Sequence, residues 1–212
     1  MKINKNKSKV IPFNFTRKYD FIPNLTLGPD ELEVVYETKL LGVICCSSGK
    51  WTENIKYLVK KANARLYFIR RLKSLGASIA TLKEAFILFV RPMIEFCAPL
   101  WAGALYHQSG KALSESLERI QRSFCKLLFP TRDYESSIES LKLQKISERR
   151  LILTKRFGSK MAENPKFSYL FPKVTGKSSR SKRIYHEPKW KCTRYGFSTI
   201  PFCIRLLNNE IT

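Results

Sequence analysis

Acidic residues are scarce in this chain, and the few present are scattered. Against 39 Lys and Arg stand 17 Asp and Glu, and the three aspartates, Asp20, Asp30 and Asp133, lie far apart. Two-metal phosphoryl transfer needs carboxylates that hold two magnesium ions about 4 Å apart, and no Asp-Asp pair is present to begin such a site. Metal-binding cysteine pairs are missing as well. None of Cys45, Cys46, Cys97, Cys125, Cys192 and Cys203 has C-x-x-C spacing, and His107 and His186 complete no zinc-finger pattern. Cys97 and Cys125 fall among apolar residues at helical spacing and read as small core residues. A reducing compartment is therefore expected. No apolar stretch follows Met1-Lys2-Ile3-Asn4-Lys5, so no secretory signal is expected. The longest uncharged stretch, residues 96–110, is interrupted by Pro99 and is too short to cross a bilayer. These absences predict an intracellular protein, nuclear or cytoplasmic, not secreted and with no membrane partner. No internal repeat is visible, and no cofactor is expected.

What remains is apolar and strongly basic. Hydrophobic residues make up 44% and aromatics 12%, with 14 Phe and 9 Tyr, too apolar for a disordered chain. A 212-residue chain can bury roughly 70% of its unfolded surface, so no disulfide or metal staple is needed. The net charge of +22 opposes compaction by self-repulsion, and a polyanion relieves it. Nucleic acid is the usual partner of such a chain, with ribosomes and acidic membranes as others. A solvated basic surface with no specific partner is the alternative.

The fold class expected is α+β, mainly α. Residues 9–15 partly alternate, with Pro12 arguing for an edge or a strand end. Gly28-Pro29-Asp30-Glu31 reads as a turn between two short strands, and residues 39–46 as a further strand. So few strands cover little apolar surface, so they read as the edge of a larger sheet. From Trp51 the period becomes helical. Thr52 is the predicted N-cap, Ile55, Leu58, Val59, Ala62, Leu66 and Ile69 form one stripe, and Gly76 is the stop. A helix over 80–98, apolar on nearly every side, is placed at the centre of a bundle and kinked at Pro92. Helices follow over 112–128, 136–141 and 147–161, the last with Arg149, Arg150, Lys155, Arg156 and Lys160 on its surface. Residues 173–183 read as a basic linker or arm, and residues 194–208 regain apolar character and dock on another part of the chain. Three regions result: 1–50, a short antiparallel β segment; 51–165, a helical domain; and 166–212, a basic linker with a C-terminal segment.

Several short segments carry a family signature. Asn4-Lys5-Asn6-Lys7-Ser8, Lys39-Leu40-Leu41-Gly42-Val43, Trp51-Thr52-Glu53-Asn54-Ile55 and Arg91-Pro92-Met93-Ile94-Glu95-Phe96, taken in order, resemble the downstream part of a LINE-type (non-LTR, jockey-like) retrotransposon reverse transcriptase. The resemblance implies the edge of a polymerase palm followed by a thumb, in a chain that begins after the paired aspartates of that family. Lys7 matches the lysine that such polymerases place near the leaving pyrophosphate, a role without a reaction here. Residues 39–43 match the primer-grip hairpin, with Lys39 and Gly42 against the nucleic acid.

Residues 51–55 resemble the start of the thumb and residues 62–73 its first helix, which lies along a primer–template duplex. Its outward residues, Lys56, Tyr57, Lys60, Ala64, Tyr67 and Arg71, are the candidate nucleic-acid contacts. Lys and Arg meet phosphates without reading sequence, and Ala64 permits close approach. An ordinary solvated face stands as the alternative. Arg91, Pro92, Glu95 and Trp101 read as structural, with Arg91 and Glu95 one helical turn apart and able to pair.

Three readings follow. The first is a catalytically dead reverse-transcriptase fragment that grips RNA/DNA duplex, with an upstream palm fragment in trans as a further partner. The second is a stand-alone basic helical protein that binds nucleic acid or another polyanion. The third is an inert product that exposes an apolar face and aggregates. None of the three is an enzyme by itself.

Overall fold

The structure is a computed structural model that describes residues 4, 7–13, 24–174 and 183–211. It is mainly helical, with its named strands near the N-terminus, the α+β, mainly α class expected from the periodicity. Two units divide the chain, Met1–Tyr57 and Leu58–Thr212.

The described part of the first unit holds strands β1 (Lys9–Val10), β2 (Thr26–Leu27), β3 (Asp30–Glu31), β4 (Glu33–Val34), β5 (Glu37–Leu40) and β6 (Val43–Cys46). They make three two-stranded ribbons. β1 runs parallel to β4, while β2 with β3 and β5 with β6 are antiparallel hairpins. Gly28 turns the first hairpin with φ +65°. The strand expected over 9–15 is two residues long, and positions 14 and 15 lie outside the described residues. Residues 39–46, a single strand by apolar pattern and a hairpin by the resemblance at 39–43, are folded back on themselves. Leu41 and Gly42 both have positive φ, 47° and 90°, and Leu40 pairs with Val43. Two successive positive φ values make the tight turn whose twist matches that of the flanking strands. Gly42 thus serves the turn.

Helix α1 (Thr52–Ser74) begins in the first unit. Its predicted stripe is buried at Ile55, Leu58, Ala62, Leu66 and Ile69. Asn54, 1% exposed, tethers the first turn to β6 by accepting the Ile44 amide at 3.0 Å. Gly76, at φ +84°, ends the helix, and the Ala77 amide reaches back to the Leu72 carbonyl at 3.2 Å. That left-handed stop is open to Gly without steric cost.

The second unit continues through α2 (Ile79–Ala85), a π-helical turn over Phe86–Val90, α3 (Arg91–Ile94) and α4 (Ala98–Tyr106). The helix expected over 80–98 therefore ends at Ile94. Pro92 has no N–H for the Leu88 carbonyl, and the ladder widens into the π turn just before it. The sharp bend, 76° between Ile79–Ile94 and Ala98–Tyr106, comes at Cys97, which sits at φ 51° immediately before α4. This stretch is not buried on all sides as expected. Leu82, Phe86, Val90 and Ile94 face inward, while Leu88 is 65% and Phe89 49% exposed. Among the described residues no single helix is long and apolar enough to cross a membrane; the bent pair meets the length and composition only jointly.

Next come α5 (Lys111–Leu128), α6 (Tyr134–Ser140), α7 (Ile146–Glu163), α8 (Thr193–Gly196) and α9 (Thr199–Leu207). Asp133 caps α6 by accepting the Ser136 amide at 2.9 Å. The Phe86 and Phe124 rings stack at 4.2 Å. Trp101 is fully buried, with its indole N–H donating to the Phe96 carbonyl at 3.1 Å. α7 packs on α9, α4 and α5, so the C-terminal apolar block docks inside this unit through buried Phe202, Cys203, Ile204 and Leu206.

Gly103 marks the closest approach. A Cβ there would meet the Phe197 carbonyl oxygen at 2.3 Å and the Phe202 ring at 2.8 Å. Gly103→Ala is expected to destabilise the protein by about 2–3 kcal/mol, because the backbone oxygen cannot swing away as a flexible side chain can. Thermal denaturation checks this, and a melting point equal to wild type would show that α4 and the segment before α9 can separate at little cost.

Candidate nucleic-acid interface

The part of α1 inside the second unit carries Lys60, Lys61, Arg65, Arg70, Arg71 and Lys73, and no acidic residue. All six are exposed. With buried Ala62, Leu66 and Ile69 setting the inner face, 3.6-residue periodicity places Lys60, Ala64, Tyr67 and Arg71 along the opposite one. From Lys60 to Arg71 that line is about 16 Å long at 1.5 Å per residue. This matches about five nucleotide steps at 3.4 Å per strand step. Tyr67 is 61% and Phe68 50% exposed, and the Phe68 and Phe89 rings meet edge to face at 6.3 Å. Two of the cations also fix the helix in place. Arg65 donates to the Phe89 carbonyl at 2.6 Å, and Lys73 donates to the Leu127 carbonyl. Lys61, Arg65, Arg70 and Lys73 were not among the sequence candidates. Their signal was the lack of any carboxylate from Leu58 to Ser74.

The candidates in the first unit are engaged elsewhere. The Lys39 ammonium donates to the Tyr57 hydroxyl at 2.6 Å and lies 4.7 Å from the centre of that ring. Lys56 pairs with Glu53 at 2.8 Å, and this raises its pKa. Lys7 is exposed, and its amide closes a turn onto the Asn4 carbonyl at 3.1 Å; residues 5 and 6 lie outside the described residues. Of the basic arm, residues 175–182 also lie outside them. Its described ends are tied down, with Lys173 bridged to Tyr185 and Arg183 paired with Glu210.

The ion pair expected between Arg91 and Glu95, one turn apart, is present at 3.9 Å. Arg149 of α7 joins it as a second partner of Glu95, donating from Nη2 to Oε2 at 2.9 Å and from Nε to Oε1. Arg91 Nε and Nη2 are buried without hydrogen-bond acceptors. Burial, and then the neighbouring Arg149 charge, lower the pKa of Arg91. The fork of two parallel N–H donors from Arg149 makes the stronger of the two contacts. Pro92 lies in the first turn of α3 and Trp101 in the core.

Two charged residues of α5 and α7 are buried where surface positions were expected or unremarked. Glu118, 6% exposed, accepts the Ile146 amide at 3.1 Å, the Ser147 amide at 3.0 Å and the Tyr134 hydroxyl. It caps α7 from outside that helix and neutralises the positive end of its dipole. Burial and this carboxylate push the Tyr134 phenol far above its ordinary pKa. Gln121 completes the group, donating to the Tyr134 hydroxyl and the Gln144 carbonyl, both at 3.0 Å. Arg150, expected on the surface of α7, is 4% exposed. It falls on the buried line Ile146, Arg150, Thr154 and Gly158. The four-residue recurrence of a small polar residue and a glycine was the overlooked signal that this side faces a neighbour. Among the described residues no three His, Cys, Asp or Glu side chains converge so as to hold a metal ion.

Residues 51–82, which cover α1 and the start of α2, match the family model described as alkylated DNA repair protein alkB homolog 8, N-terminal. No curated protein and no solved structure matches the chain. The match corrects the resemblance to a retrotransposon reverse transcriptase, because the segment read as the start of a polymerase thumb fits a different family. With it fall the palm and thumb roles, including those given to Lys7 and to the hairpin of Lys39 and Gly42. The signature rested on short strings of common residues, and the structure accounts for them locally as a turn, a tight hairpin and a helix start.

Proposed function

We propose that this chain is a basic helical protein that binds nucleic acid by itself, through the outward face of α1 in the second unit. The observation that carries this reading is the acid-free run of six exposed cations between Lys60 and Lys73, with exposed Tyr67 among them. Phosphates are met by such cations irrespective of sequence, and an exposed ring beside them offers a face to a base. The matched family model covers the same helix, and its description names a DNA repair protein. The chain works by binding, without a cofactor and without a reaction of its own. Its enclosed carboxylates support this, since half-buried Glu95 and buried Glu118 are spent on Arg149 and on the α7 amides. Six free cysteines suit a reducing, intracellular setting.

The test is the salt dependence of binding to a short RNA or DNA, followed by fluorescence anisotropy. About five phosphate contacts at roughly −0.9 each give a log–log slope of roughly −4 to −6. A slope near zero, or no binding at low salt, overturns the reading.

A further inference from the structure

A cleft of about 540 Å³ opens in the second unit, with walls from α4, α5 and α7. Its volume lies in the range of small-molecule sites. Arg150 lies in its wall, almost wholly buried. The guanidinium donates from Nη2 to Ser114 Oγ at 2.5 Å and lies 5.8 Å from the Trp101 ring centre, while Nη1 is buried with no acceptor. Burial brings its pKa down to about 10, so it remains charged at neutral pH. Glu118 is close enough to act on it through space, yet its oxygens already serve Ile146, Ser147 and Tyr134.

A buried cation whose hydrogen-bonded partner is one neutral hydroxyl is costly to hold. An oxyanion supplies acceptors in the geometry of the guanidinium fork. The other charges of the lining do not make the cleft a polyanion site. Lys145 pairs with Glu135 at 2.8 Å, Arg122 pairs with Glu115, and Lys111 and Glu148 add one charge of each sign. Ala102, Leu105, Tyr106 and Leu151 add apolar wall.

We propose that this cleft binds a small organic oxyanion, a carboxylate or a phosphate monoester on an apolar body, with the anion on Arg150 and the body against Leu105, Tyr106 and Leu151. The site is separate from the α1 face and does not depend on it.

The probes are phenyl phosphate, benzoate and neutral benzyl alcohol, added at equal ionic strength to the full chain while its melting temperature is recorded. At about 10 mM, an anion of millimolar affinity is expected to raise it by about 3 °C, and benzyl alcohol by less than a third of that. A shift with phenyl phosphate alone identifies a phosphate monoester, with benzoate alone a carboxylate, and either supports the site. Arg150→Met is expected to abolish the shift. Arg150→Lys, which lacks the planar fork, is expected to weaken binding about tenfold. Should Arg150→Met not fold, Leu151→Trp fills the cleft from its edge, keeps the guanidinium, and is expected to abolish the shift as well. Equal shifts for anions and alcohol, no shift in the wild type, or an anion shift that survives in Leu151→Trp would each overturn the proposal.

Discussion

Glu118→Ala is expected to lower the unfolding free energy by about 3 kcal/mol, read from the urea midpoint at constant slope. The carboxylate accepts from two otherwise orphaned amides at the start of α7 and from the Tyr134 hydroxyl, at a site 6% exposed. Truncation leaves these donors buried and unpaired, and it removes a negative charge from the positive end of an 18-residue helix. It also deprives Arg150 of the anion that acts on it through space. Glu118→Gln keeps the shape and one acceptor, and is expected to lose roughly half as much. A loss below about 0.5 kcal/mol in the Ala variant would show that α7 is capped by other means.

Lys60→Glu combined with Arg71→Glu is expected to weaken nucleic-acid binding about 100-fold at 0.1 M salt and to make the log–log slope shallower by about 2 units. Both residues are exposed on the face of α1 that carries Ala64 and Tyr67, and neither lies on its buried stripe. Thermal stability should change little, since surface substitutions of this kind stay within about 0.5 kcal/mol. The two reversals remove two phosphate contacts and add two repulsions, without touching the core. Unchanged affinity in a folded variant would take the contact away from α1. The basic residues between 173 and 183 are then the next candidates.

Legibility in the sequence followed the range of the interactions involved. The α1 stripe, its stop at Gly76 and the helices that became α5, α6 and α7 were readable because helical periodicity and capping are local. The breaks around Pro92 were only half readable. A proline signals a disturbed ladder, but whether it becomes a kink, a π turn or a bend at Cys97 depends on which side chains are held by neighbouring helices. The hairpin over 37–46 was legible in the resemblance at residues 39–43 but not in the apolar pattern, which reads as a single strand, because Leu41 in a left-handed turn contradicts residue preference. Of the candidate face, Lys60, Ala64, Tyr67 and Arg71 stand together as their spacing implied. Lys39, Tyr57 and Lys56 proved to be occupied with one another or with Glu53.

By itself the sequence determined a basic, mainly helical chain, with one long helix whose outer face, from Leu58 to Ser74, holds cations and no acids. These properties follow from composition and from a 3.6-residue repeat, both of which are summed along the chain. Only the tertiary structure decided which charges leave water. Glu95 meets Arg149 and Glu118 meets Ile146 across 54 and 28 residues, and Arg150 sinks beside Trp101. Each of those burials is tolerable only because a distant segment supplies the opposite charge, a donor or a ring. Spacing within one helix carries no information about such a partner.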